Sequence, residues 1–142
     1  MKSSSSTLLF LAVGASIILG VIGFMMFNKQ HEDLNAATAD MTIEAAELFQ
    51  AFEQDETSAN ATYLGKLLEV NGVVQEITET EGGGVLLVLR EETEMFGVNC
   101  AFLSSEKSAI SAIHIGSSAV VKGMCSGATI GGVDLARCVL TQ

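Results

Sequence analysis

Proline and tryptophan are absent from this 142-residue chain, and tyrosine occurs once. Without proline there is no PxxP-type docking segment, and so few large rings leave no obvious stacking platform for single-stranded bases. Positive charge is scarce too. Seven Lys/Arg face seventeen Asp/Glu, giving a formal charge of −10, a balance that repels phosphate backbones and anionic surfaces. The two histidines, His31 and His114, fall in unrelated segments, and no Cys-x-x-Cys or P-loop motif is present. Gly82-Gly83-Gly84 lacks the Gly-Lys-Ser/Thr ending of a phosphate cradle and reads as a turn. Nothing points to catalysis, a bound metal or a cofactor, so the chain is expected not to be an enzyme.

What the chain does possess is one long apolar run. "TLLFLAVGASIILGVIGFMMF", Thr7 to Phe27, is 21 residues without a charge, enough for the roughly 20 helical residues that span a bilayer core. The run exceeds the usual signal-peptide core and no A-x-A-like cleavage site follows it, so residues 1–28 are expected to form a transmembrane anchor, with a cleaved signal peptide as the rival reading. Lys2 and the α-amine outweigh Lys29 slightly, which favours a C-terminal domain outside the cytoplasm. Ala12, Ser16 and Gly20 recur every four residues, a candidate stripe for close approach of another helix. Residues 29–41 are polar and unpatterned, as in a linker.

From residue 42 to 142 the pattern is that of a single domain. Met41, Ala45, Leu48, Phe49 and Phe52 keep helical spacing and predict an amphipathic helix with Thr42 as its cap. Beyond Tyr63 the apolar period becomes two, and five strands are expected at 66–78, 85–91, 95–103, 118–126 and 132–140. Parity is lost after Gly72, which predicts a bulge there. "SSEKSAISAIHI" predicts a helix between strands three and four, capped by Ser104 or Ser105. Five strands, a bent first strand and a helix after the third describe a mainly β protein with accessory helices, an OB-fold barrel.

The stretch "AAELFQAFEQDETSANATYLGKLLEVNGVV", with "GVNCAFL", "VVKGMC" and "LARCVL" after it, resembles the bacterial tRNA-anti-like group of OB-fold proteins. The most specific positions are Asp55-Glu56, Ala59-Asn60, Tyr63, Gly65-Lys66 and Val70-x-Gly72-x-Val74. The resemblance implies the OB fold and is compatible with an N-terminal membrane or lipoprotein signal; it names no ligand.

Three cysteines remain. If Gly131-Gly132 forms a two-residue hairpin turn, Cys125 and Cys138 stand opposite one another on the core face, close enough for a disulfide, with Cys100 left as a buried thiol. Reduced core cysteines and a bridge from Cys100 to Cys138 are the rival readings. The functional expectation is a membrane-tethered binding module for a membrane or envelope protein. Nucleic acid is an unlikely partner on charge, nucleic-acid or oligosaccharide binding is the alternative, and the sequence leaves any small-molecule ligand unknown.

Overall fold

The computed structural model describes Ile18, Gly20, Val21 and residues 34–141. The chain divides into two compact units, Met1–Asp33 and Leu34–Gln142. In the first, Ile18, Gly20 and Val21 are helical and exposed; Ala12, Ser16 and the rest of the expected anchor lie outside the described residues. Among the described residues no helix is long and apolar enough to cross a membrane.

The second unit is a closed barrel. β1 (Met41–Glu44) precedes α1 (Ala45–Gln54) and α2 (Glu56–Tyr63), and the barrel strands are β2 (Leu67–Glu79), β3 (Val85–Leu89), β4 (Gly97–Phe102), β5 (Ser118–Thr129) and β6 (Gly132–Leu140). The order β2-β3-β4-β6-β5 closes through pairing of β5 with β2, and β4 runs parallel to β6. This is the five-stranded OB topology, and closure leaves no barrel edge unpaired. Alternation along each strand supplies the core: Leu68, Val70, Val74, Leu87, Leu89, Val98, Cys100, Val121, Val133 and Leu135 are all fully or almost fully buried.

Residues around the amphipathic helix behave differently from their local signals. Thr42 is not a cap, because Met41–Glu44 pairs in parallel with Leu68–Asn71 as an added strand. The helix starts only at Ala45, with Glu44 as an N-cap that makes no side-chain cap bond. Pairing with β2 satisfies that backbone before the helix can begin. From α1, Leu48 and Phe52 enter the barrel core. A second helix follows at once because Asp55 caps it: its carboxylate accepts bonds from Ser58 N at 3.1 Å and Ser58 Oγ at 2.6 Å. Those bonds hold the Asp55 carboxyl below its usual range.

The bend in β2 is also displaced. Its register against β3 shifts between Val74 and Glu76 rather than at Gly72. Gly72 serves close approach instead: a Cβ there would stand 2.9 Å from Ala45 Cβ and 3.0 Å from Leu89 Cβ. Between β4 and β5 the expected helix shrinks to a 3-10 turn, Ser104–Glu106, and one helical turn, α3 (Lys107–Ile110), and neither makes a side-chain cap bond. Its contribution is Ile110, buried in the core.

The last hairpin corrects the cysteine pairing. Thr129 pairs with Gly132, so the turn is Ile130-Gly131, and the β5–β6 register shifts between Lys122 and Met124 and again between Cys125 and Gly127. Cys125 therefore stands opposite Leu135, not Cys138, and all three cysteines are free thiols. Gly132 cannot be spent in the turn because it lies inside the parallel β4–β6 contact, at φ +128°, where a Cβ would fall 2.1 Å from Gly97 O. Further along, Arg137 at φ 53° marks the bulge that turns Cys138 inward against Gly123. A Cβ on Gly123 would meet Cys138 Sγ at 2.6 Å.

Candidate interaction surface

In an OB barrel the outer face of the second and third barrel strands, here β3 and β4, and the loops beside it are the usual ligand platform. Leu86 pairs with Ala101 and Val88 with Asn99 on that face, opposite the inward Leu87 and Cys100. Asn99 reaches across to β6, donating to Asp134 Oδ1 at 2.9 Å and to Gly131 O at 3.2 Å. Thr129 Oγ1 donates to the same Asp134 oxygen at 3.3 Å. This network pins the β5–β6 turn. It spends the polar groups of the face on the protein itself, and what remains is small and apolar, with a carboxylate rather than a cation at its edge.

The pinned turn has an unusual tip. Ile130 is 98% exposed, although tight hairpin turns favour Asn, Asp and Gly. Next to it a groove of about 180 Å³ runs between α1 and the hairpin, lined by Phe49, Phe52, Glu53, Phe96, Ile130 and Val133 among others. Phe96 and its neighbour Met95 are exposed at 42% and 80%. They end the β3–β4 loop, which carries Glu91, Glu92 and Glu94, all exposed. Strand pairing begins only at Gly97, two residues after the expected start at 95, and Phe96 stays at the rim. On the other side of α1 lies a wider cleft of about 390 Å³, lined by Glu44, Glu47, Gln50, Asn71, Arg90 and Glu91 among others.

Cations are few, and most are engaged. Residues 34–141 hold five, Lys66, Arg90, Lys107, Lys122 and Arg137. Lys107 pairs with Glu79 at 2.8 Å, and Arg90 donates from Nη1 to Glu94 O. Lys122 is buried and donates from Nζ to Ala37 O at 2.7 Å and Leu34 O at 3.3 Å. Among the described residues no group of His, Cys, Asp and Glu could hold a metal ion.

The cysteines belong to the core. Burial drives the Cys100 thiol well above its ordinary range, and contact with the Cys138 side chain and the charge of Asp134 add to it. Burial raises Cys125 as well, partly offset by a bond from the Gly127 backbone. Such thiols are poor nucleophiles, since the thiolate is the reactive form.

The fold agrees with what comparison finds. The tRNA_anti-like family model matches residues 1–139, and the chain belongs to that family of OB-fold proteins. Among solved structures it is similar to a Klebsiella pneumoniae protein described as a "putative nucleic acid-binding lipoprotein", at 21% identity and TM-score 0.62, over 72% of this chain and 92% of that one. A weaker likeness, at 14% identity and TM-score 0.47, is to a "putative aspartyl-tRNA synthetase" of Leishmania major, over 75% of this chain and 22% of that one. No curated protein matches the chain.

Proposed function

We propose that this chain is a non-catalytic OB-fold binding module, held at a membrane by Thr7–Phe27, whose barrel lies outside the cytoplasm and engages a protein of the membrane or envelope. The observation that carries this reading is the rim formed by the β3–β4 loop and the β5–β6 hairpin. It offers Met95, Phe96 and Ile130 to solvent beside a run of carboxylates. Clustered exposed apolar side chains with a polar rim are the mark of protein contact. The uncharged length of Thr7–Phe27 supports the tether. Cross-linking in intact cells tests the reading: adducts to one envelope protein are expected, and protease added to spheroplasts should remove the barrel. Complete protection of the barrel overturns the proposed location.

A second reading, nucleic-acid binding, is favoured by the description of the K. pneumoniae relative. Its requirement is a cationic track for phosphates, and the β3–β4 face is bordered instead by Asp134 of β6 and by the acidic β3–β4 loop. Titration with single-stranded RNA at two salt concentrations decides between them. Binding that falls steeply with salt would select the nucleic-acid reading.

A further inference from the structure

We propose that the groove between α1 and the β5–β6 hairpin is a docking site for a basic segment of a partner protein, which inserts one apolar side chain between Phe49, Phe96 and Ile130. This rests on the protein-binding reading above and gives that partner its chemistry. Three features of the groove converge. Its lining is apolar, with Phe49, Phe52, Phe96 and Val133 forming the wall and a volume of about 180 Å³, room for one large side chain and not for a folded surface. Its surroundings are acidic: Glu53 is in the lining, Glu92 and Glu94 are exposed in the loop that ends at Phe96, and no Lys or Arg lines the groove. A lysine- or arginine-bearing segment complements that charge, while a second copy of this chain, at −10, meets like charge.

The third feature is the hairpin tip. The turn that carries Ile130 is bonded from Asn99 Nδ2 to Gly131 O at 3.2 Å and from Thr129 Oγ1, whose one proton is shared between Gly132 O at 3.4 Å and Asp134 Oδ1 at 3.3 Å. A β-branched apolar side chain at a hydrogen-bonded, almost fully exposed turn serves neither turn geometry nor folding. It does suit a contact residue whose position is fixed before binding, because less order is lost when the partner arrives.

The test uses the full chain in a non-ionic detergent and a synthetic five-residue peptide, a photo-leucine flanked on each side by two lysines. Irradiation followed by peptide mapping is expected to place adducts on the segments of Phe49, Phe96 and Ile130. Ile130→Ser, exposed enough to leave folding intact, should lower the yield at least fivefold, and glutamate in place of the peptide lysines should lower it at least tenfold. Adducts scattered over the barrel, or a yield indifferent to Ile130→Ser or to peptide charge, overturn the proposal. So does a dimer of the full chain that Ile130→Ser dissociates, since the occupant is then a second copy. If the groove fails while cellular cross-links to an envelope protein persist elsewhere on the barrel, the binding-module reading stands without it; salt-sensitive RNA binding that blocks the photo-adduct removes both.

Discussion

Two parts of the barrel's exterior carry apolar side chains, and the chain treats them in opposite ways. Over β2, β5 and β6, Leu67 and Val139 are covered by Leu34, with Ala37 and Met124 packed beside them. Lys122 ties that cover down by donating to the carbonyls of Leu34 and Ala37. At the rim of β4 and the β5–β6 hairpin, Met95, Phe96 and Ile130 have no such cover. The comparison teaches where to look for function in a protein without a catalytic motif. Apolar surface that the chain buries with its own residues serves stability, and surface left open to solvent is available to something else.

The comparison breaks first if the covered side is not needed for stability. Leu67→Ala should cost about 2–5 kcal/mol, the usual range for a buried leucine, read as a lower urea midpoint for the full chain. A loss near zero would mean that the Leu34 cover is dispensable. Lys122→Met keeps the apolar stem and removes the ammonium from two carbonyls; about 1–3 kcal/mol should be lost, with faster amide exchange for residues 34–40. Unchanged exchange there would remove Lys122 from its role as the tie.

The core between the two surfaces gives a pH test. Burial raises Cys100 and Cys125 above their unfolded values, so the folded state binds these protons more tightly than the unfolded state. Their contribution is complete below the unfolded thiol pKa, about 8.5, and declines as pH rises above it toward the folded values. Stability should therefore fall above that pH in wild type and fall less in Cys100→Ala, compared as slopes of the urea midpoint against pH. Equal slopes would show that the buried thiols do not set alkaline stability. The smallest effect belongs to the open side: Ile130→Ser should change stability by no more than about 0.5 kcal/mol. A larger loss would show that Ile130 is a structural contact after all, and the contrast between the two surfaces would collapse.

The barrel itself was legible in the residues because its signals are local and periodic. Alternating apolar positions mark five strands whose extents, such as Val85–Leu89 and Gly97–Phe102, lie within or close to the expected ranges. The burial of Leu48 and Phe52 was readable from their helical spacing. So was the acidity that weighs against a phosphate track, since charge is additive along a chain. Tertiary structure alone decided what depends on register and on partners distant in sequence. Glycines at 131 and 132 look equivalent for a turn, yet the approach of Gly97 in β4 claims Gly132 for the sheet, and that shift by one residue, with the bulges behind it, moves Cys125 opposite Leu135. Met41–Glu44 has helical spacing but becomes a strand because β2 offers it bonds. A lysine in a strand reads as solvated until Leu34 and Ala37, 88 and 85 residues away, supply the carbonyls that hold it. Periodicity fixes which face of an element is apolar; only packing fixes what, if anything, lies against that face.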